Sequence, residues 1–268
     1  MNVLVCVKQV PDTTEIKINP KTNTLIRAGV PSILNPFDGY ALEAAARIKD
    51  KKPETNIYVL SMGPEQAKNA LKECLSIAAD FAYLVSGRSF GGSDTLATSY
   101  ILSQAILKIE ERENIKFDAI FCGKQAIDGD TAQVGPEIAE HLGLPQVTYG
   151  LEAEVYEDGM KVRKETEDGI EIVAVKLPCV VTFTKPSWNL RFPNIKRKLA
   201  ANKVEIPILD ETAFPDIDAA RIGLKGSPTH VKSSFVPQRK NDGIIINEQS
   251  GNDAARKLLE ILDEASVI

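Results

Sequence analysis

Short apolar runs alternate with helical segments four times in the first 146 residues of the chain. The runs are Asn2–Val7, Ile57–Met62, Phe81–Val85 and Asp118–Cys122. The helices that follow them are predicted over residues 39–49, from 63 to about 78, over 95–111, and from 131 or 136 to 143. Strands separated in this way are typical of a parallel sheet with helices on both faces. We therefore predict an α/β fold with a doubly wound, mostly parallel sheet.

The pattern changes after Gln146, where charged and apolar residues begin to alternate. Such alternation is typical of antiparallel strands with one solvated face, and the Asp-Gly pairs at 158–159 and 168–169 favour hairpin turns. The predicted meander consists of Leu151–Tyr156, Met160–Glu165 and Ile170–Lys176, after which the apolar run Cys179–Phe183 returns to the core. A separate hairpin is predicted near the N-terminus from Ile16–Ile18 and Thr24–Ile26.

The periodicity is lost from Lys185 until a C-terminal helix over Asn252–Ala265, whose Leu258, Leu259 and Leu262 are expected to face inward. A long irregular segment in an otherwise regular protein is either disordered or wraps a partner. This one keeps aromatic and aliphatic residues that favour wrapping, namely Trp188, Phe192, Ile206, Leu209 and Phe214. We therefore predict an α/β domain over residues 1–184 and a partner-embracing arm with a terminal helix over residues 185–268.

Composition and charge argue against several classes of function. The net charge of −5 does not favour nucleic acid, and no apolar run reaches membrane-spanning length. The chain begins directly with a strand rather than a signal peptide. Its four cysteines lie in apolar runs without CxxC spacing, which indicates reduced thiols, and its two histidines are too far apart to suggest a metal site. We expect a cytoplasmic protein without membrane insertion.

The carboxyl ends of three predicted strands suggest a binding site. In a parallel sheet, ligands bind outside these ends, which here carry Cys6-Val7-Lys8, Ser61-Met62-Gly63 and Gly123-Lys124-Gln125. The polar loop after Gly123 leads into a helix, and free backbone N–H groups at a helix N-terminus bind phosphate. Many such joints bind nothing, and Lys8 is equally compatible with a solvated lysine at a strand end. The residues alone leave the ligand open.

Three segments of the chain resemble the electron transfer flavoprotein beta subunit. They are VLVCVKQVPD with SILNPFDGYALEAA, then GKQAID followed by DTAQVG and LGLPQ, and lastly VRKETEDGIEIVAVKLPCVVT. The resemblance implies an adenine nucleotide-binding, HUP-like domain, a heterodimer with the family's alpha subunit, and a flavin-dependent dehydrogenase as a further partner. By matching motifs, the nucleotide would be held by Cys6, Asn35, Met62, Gln133 and Val134, largely through backbone groups.

Two kinds of beta subunit exist in this family. One holds a structural AMP and shuttles electrons from a dehydrogenase. The other holds FAD in the same pocket, accepts electrons from NADH and passes them on to the alpha-subunit FAD and to ferredoxin or flavodoxin by flavin-based electron bifurcation. Two features here resemble the second kind, the loop AIDGDTAQVG and the glycine-rich SFGGSDTLAT. Beyond the five residues above, the predicted FAD contacts are Lys8, Phe90, Gly91, Ser93, Asp94, Thr95, Thr98, Gly123, Gln125, Asp128, Gly129, Asp130 and Thr131.

No catalytic acid, base or nucleophile is expected, because a bound flavin carries the redox chemistry. We interpret Asp128 and Asp130 as loop-forming acceptors and His141 as structural. The resemblance places docking of the dehydrogenase at Phe192 and Ile195, beside a basic cluster that would steer encounter. A competing class, the ATP-pyrophosphatases and universal-stress-type ATP binders, has a similar architecture. No SGGxDS run follows the first strand to support it.

Overall fold

The computed structural model describes residues 1–12, 31–232 and 243–268, so the hairpin predicted over residues 16–26 lies outside the described residues. The strands are β1 (Asn2–Cys6), β2 (Gln9–Pro11), β3 (Ser32–Leu34), β4 (Asn56–Met62), β5 (Phe81–Val85), β6 (Ala119–Gly123), β7 (Gln146–Tyr156), β8 (Gly159–Thr166), β9 (Gly169–Lys176), β10 (Cys179–Phe183) and β11 (Ile208–Leu209). The helices are α1 (Pro36–Lys51), α2 (Lys68–Ile77), α3 (Thr95–Glu113), α4 (Val134–Leu142), α5 (Ile195–Lys203) and α6 (Gly251–Glu264). None of these helices is long and apolar enough to cross a lipid bilayer.

Nine of these strands form one sheet in the order β11-β5-β4-β1-β6-β10-β7-β8-β9. Every pair from β11 to β7 is parallel, whereas β7, β8 and β9 pair antiparallel. The predicted mostly parallel sheet with an antiparallel extension is therefore confirmed. The main difference in strand bounds is β7, which begins at Gln146 because its first residues pair in parallel with β10.

Helices cover both faces of the parallel strands. On one face α1, α2 and α5 contribute to the core, in which Leu42 and Leu71 are fully buried. On the other face α3 and α4 contribute Ile106 and Ile138. Strands that are covered on both faces have continuous apolar sequences, and these strands could therefore be predicted from their apolar runs. Because the faces are covered, a ligand reaches these strands through the loops at their carboxyl ends.

The segment after residue 184 is more regular than its sequence indicated. Helix α5 forms where no periodicity was predicted, and Ala201 is its only buried residue. β11 adds a parallel strand beside β5, and Ile206, Leu209 and Phe214 are buried in the two cores. These three residues, interpreted from the sequence as favouring a partner-wrapping arm, are thus buried within their own chain. Residues 204–229 pack on the α/β domain.

The apolar side of α6 does not face a core, contrary to the prediction. Leu258 and Leu259 are 47% and 55% exposed, and no residue of the helix is buried against the described part of the chain. The side chain of Ser250 caps the helix by accepting the Asp253 N–H at 3.2 Å. The helix therefore forms with its leucines open to another molecule.

Candidate functional site

A cavity of about 980 Å³ opens at the carboxyl ends of β1, β4, β5 and β6. All the residues predicted as cofactor contacts line it, from Cys6 and Lys8 after β1 to Gln133 and Val134 at the start of α4. The loops 86–94 and 124–133, which the sequence singled out separately, contribute to one continuous wall. The structure thus brings the predicted site residues together, and their contact with a nucleotide stays a prediction.

Asn35 fixes the shape of the loop 124–133. Its buried side chain donates from Nδ2 to the Gln125 carbonyl oxygen at 2.9 Å and accepts the Ile127 N–H at 3.2 Å. Within the loop, Asp130 and Ala132 have φ values of 53° and 55°. Such values cost free energy in non-glycine residues and recur at functional sites. Asn35 therefore contributes to the site chiefly through the loop it holds.

Asp38, which was not predicted from the sequence, lines the cavity and joins the ends of two strands. Its Oδ2 accepts the Lys8 N–H at 2.7 Å, and its Oδ1 accepts the Gly123 N–H at 3.2 Å. Burial raises the pKa of Asp38 to about 7, although hydrogen bonds from Asn35, Lys8 and Gly123 act to lower it. The NPFD sequence that opens α1 is the signal that could have located this carboxyl group.

Polar side chains of the loop 124–133 contact one another or Lys8, which follows β1. Lys8 Nζ lies 2.6 Å from Asp128 Oδ1, so this lysine is ion-paired rather than simply solvated. Gln125 donates from Nε2 to Asp130 Oδ1 at 2.6 Å. Both aspartates are thus acceptors that shape the loop, which agrees with their interpretation from the sequence.

Lys124, which the sequence placed at a strand end but not among the predicted FAD contacts, is a second cationic side chain of the cavity. Its Nζ lies 5.0 Å from the ring centroid of Phe37 and 5.7 Å from that of Tyr149, within the range of cation–π attraction. Lys8 and Lys124 line the cavity together with four aspartates, Asp38, Asp94, Asp128 and Asp130. Because the lining is not rich in cations, a phosphate group here would depend on backbone N–H donors.

Two helix N-termini meet the cavity. α4 begins at Val134 without a side-chain cap, and Val134 and Gly135 line the cavity. α3 is capped by Asp94, whose Oδ1 accepts the Ala97 N–H at 3.1 Å. Uncapped N–H groups in the first turn, together with the helix dipole, attract anions. The start of α4 is therefore the stronger candidate for holding phosphate.

Thr95 and Phe90 have partners within the chain that the sequence did not indicate. Thr95 Oγ1 lies 3.2 Å from Gln133 Oε1 and 3.3 Å from Glu137 Oε1, which links the starts of α3 and α4. Phe90 is buried and packs edge-on against Phe214, with ring centroids 6.0 Å apart. Phe90 is thus mainly a core residue whose edge reaches the cavity.

The glycine-rich loop 86–94 is held by residues of the C-terminal segment. Glu211 Oε1 accepts the N–H and the hydroxyl of Ser89 at 3.0 and 2.9 Å. Ser227 Oγ accepts the Asp94 N–H at 2.8 Å, and Asp94 Oδ2 accepts the N–H and hydroxyl of Thr229 at 3.0 and 2.7 Å. These partners are 122 to 135 positions apart along the chain. The local sequence signal of this contact is the presence of two glycines, Gly223 and Gly226, shortly before Ser227-Pro228-Thr229.

The predicted docking residues Phe192 and Ile195 are 91% and 79% exposed. Arg191 beside them is bound through Nε to Glu43 and through Nη2 to Asp50, each at 2.7 Å. Asn194 caps α5 by accepting the Lys196 N–H at 2.8 Å. Phe192 therefore lies between two residues whose side chains are held by the rest of the chain, and its docking role stays a prediction.

Comparison with known proteins identifies the family. The electron transfer flavoprotein domain matches residues 22–213. The chain is 50% identical over 256 residues to the electron transfer flavoprotein subunit beta of Megasphaera elsdenii, across 95% of this chain and 94% of that one. It is 45% identical to the caffeyl-CoA reductase-Etf complex subunit CarD of Acetobacterium woodii, across both full lengths, and 43% identical to protein FixA of Azotobacter vinelandii, across 94% of this chain and 90% of that one. The chain therefore belongs to the electron transfer flavoprotein family, among its beta subunits.

Proposed function

We propose that this chain binds FAD in the cavity at the strand ends and takes part in flavin-based electron bifurcation. In this function the chain accepts electrons from NADH. It passes some of them to the FAD of an alpha subunit, and so to a partner dehydrogenase, and the others to ferredoxin or flavodoxin. The observation that carries the proposal is the continuity of the cavity. The loops 124–133 and 86–94 line one space, so a single extended ligand could contact both.

The size of the cavity supports a dinucleotide. Ligand pockets range over roughly 300–1,000 Å³, and about 980 Å³ lies at the upper end. AMP lacks the flavin and ribityl portions of FAD and would leave part of this cavity to solvent. The size therefore favours FAD over a structural AMP.

The residues present fit the pyrophosphate of such a ligand. N–H groups in the uncapped first turn of α4 would donate to phosphate oxygens, and the Lys8–Asp128 ion pair lies in the same lining. Asp128 is ion-paired with Lys8, and Asp130 accepts a hydrogen bond from Gln125. Phosphate would thus meet donors, while the nearby carboxylates are occupied within the chain.

Bound FAD would supply hydride acceptance and one-electron transfer, which no side chain of the cavity offers. The chain's own contribution would be binding, orientation and exclusion of water. Leu60, Val85 and Leu102 line the cavity with apolar surface, and a drier environment strengthens electrostatic interactions. The similar protein CarD is a subunit of a caffeyl-CoA reductase-Etf complex. This similarity supports a CoA-ester reductase or dehydrogenase as the partner of the present chain.

The deciding experiment is the cofactor content of the chain co-purified with its alpha subunit. Denaturing extraction and chromatography are expected to give two FAD molecules per heterodimer and no AMP. One FAD and one AMP, with FAD in excess during purification, would refute the bifurcating function and leave the AMP-containing electron shuttle.

A further inference from the structure

The segment Gly223–Thr229, which we call the clasp, lies directly on the glycine-rich loop of the cavity. Gly223 has a φ of 61°, and a Cβ at this position would collide with the Ser89 carbonyl oxygen. The Gly223 N–H donates to Ser93 Oγ at 3.1 Å. Only glycine fits where the two backbones approach so closely. The clasp and the loop therefore form one structural unit.

Ser227 attaches the clasp to the start of α3. Its hydroxyl is buried, accepts the Asp94 N–H at 2.8 Å and donates to the Gly223 carbonyl oxygen at 2.7 Å. One side chain thus joins the turn of the clasp to the residue that precedes the helix. The main chain of Asp94 is fixed as a result.

Thr229 fixes the side chain of the same aspartate. Asp94 Oδ2 accepts both the N–H and the hydroxyl of Thr229, and Oδ1 accepts the Ala97 N–H. Burial acts to raise the pKa of Asp94, but the hydrogen bonds from Ala97 and Thr229 outweigh it and lower the pKa. The carboxylate therefore accepts three hydrogen bonds, which hold it in one orientation.

We propose that the clasp is part of the FAD site, and that Ser227 and Thr229 are positioning residues that act through Asp94. This inference rests on the proposed function. A carboxylate at the start of α3 would repel phosphate if it were free to turn into the cavity. Bound by Thr229 and capping α3, it leaves the wall formed by Thr95 and Thr98 to the ligand. The clasp thereby holds with hydrogen-bond donors a carboxylate that would otherwise be free to repel the phosphate.

The test titrates the full chain with FAD, and separately with AMP, in three variants. Thr229→Val removes one hydroxyl donor from an exposed residue, and Thr229→Ser keeps it. Thr212→Val is the matched control, because the Thr212 hydroxyl donates to Asp210 Oδ1 at 2.6 Å in the same segment. We expect Thr229→Val to raise the Kd for FAD about tenfold, and to accelerate hydrogen exchange of the amides at 87–97. Thr229→Ser should restore both values, and Thr212→Val should change neither.

Two results would refute the proposed role of the clasp in FAD binding. One is wild-type FAD affinity in Thr229→Val, and the other is an equal loss in Thr212→Val. Failure of the proposed function looks different, because the wild-type chain would then bind AMP but not FAD. In that case the positioning role of the clasp is supported if Thr229→Val weakens AMP binding and accelerates hydrogen exchange in the loop 86–94. It is refuted if either effect is missing.

Discussion

At the scale of single residues, Gly123 and Gly129 line the same cavity but should respond differently to an added methyl group. A Cβ at Gly123 would collide with Asp38 Oδ1 and lie 2.7 Å from the Phe37 carbonyl carbon, whereas one at Gly129 would meet no atom within 4 Å. Gly123→Ala should lower the free energy of unfolding by ~1–3 kcal/mol, as overpacking does. Gly129→Ala should change it by less than about 0.5 kcal/mol. Urea unfolding measures both, and equal effects would contradict the contrast.

Asp38 should make the fold less stable as the pH rises from about 4 to 7. Burial raises its pKa from 3.8 to about 7, so between these values the folded chain retains a proton that the unfolded chain has released. The free energy of unfolding therefore declines over this range, and the penalty is complete above pH 7. A shift of this size corresponds to at most about 4 kcal/mol.

The free energies of unfolding of the wild-type chain and of Asp38→Asn, measured between pH 4 and 8, check this prediction. The variant has no carboxyl group to ionise, so its stability relative to the wild type should increase with pH. Asp210→Asn is the control, because hydrogen bonds from Thr212 lower the pKa of Asp210 and place its effect below pH 4. A constant difference for Asp38→Asn would show that its ionisation is not coupled to folding.

At the scale of elements, the exposed start of α5 should dock the partner dehydrogenase. Phe192, Ile195 and Leu199 are 91%, 79% and 62% exposed, and Arg191 and Asn194 fix the backbone on either side of Phe192. An aromatic residue presented in this way loses little freedom on binding and suits a hot spot. Phe192→Ala should weaken binding to the dehydrogenase by ~2 kcal/mol or more, measured as the Kd of the complex. The rate of electron transfer to the dehydrogenase should decrease as a result.

Ile172→Ala is the matched control for Phe192→Ala, because Ile172 is an exposed apolar residue on β9, outside α5. It should leave the transfer rate unchanged. Both variants should retain their flavin and their association with the alpha subunit. Loss of flavin in Phe192→Ala would place this residue in the structure of the site instead of the docking surface.

The burial of each element explains whether it could be predicted from the sequence. β1, β4, β5 and β6 are buried on both faces, so their apolar runs predicted them. Helix α5 was not predicted, because Ile195 and Leu199 face solvent and a single alanine is buried, which leaves no stripe directed at a core. The cavity followed from the rule for strand ends. Ser227 and Thr229 could not be predicted, since hydrogen bonds across more than 130 positions leave no local pattern apart from the glycines nearby.

At the scale of the whole molecule, the last segment should serve association with the alpha subunit and not the fold of this chain. None of the residues 243–268 is buried, and Ile244 and Ile245 are 73% and 91% exposed, as Leu258 and Leu259 of α6 are to 47% and 55%. Exposed apolar surface of this kind marks an interface. A variant that ends at residue 242 should keep its free energy of unfolding within about 0.5 kcal/mol and lose the heterodimer, as light scattering would show.

Phe192→Ala serves as the comparison for this truncation, because it should lose docking but keep the heterodimer. A truncated chain that still associates with the alpha subunit would move the interface elsewhere. A truncated chain that unfolds more readily would mean that α6 stabilises its own domain.

β11 has a consequence for a chain that is still being synthesised. It covers the apolar strand β5, with Leu84 donating its N–H to the Pro207 carbonyl oxygen at 3.0 Å and Ser86 to that of Leu209 at 3.1 Å. Until residue 209 has left the ribosome, β5 is a bare sheet edge, and bare apolar edges recruit other chains into aggregates. Truncation before residue 204 should therefore send the protein into inclusion bodies, whereas truncation at residue 242 should not. The contact that completes the sheet would then also protect the nascent chain.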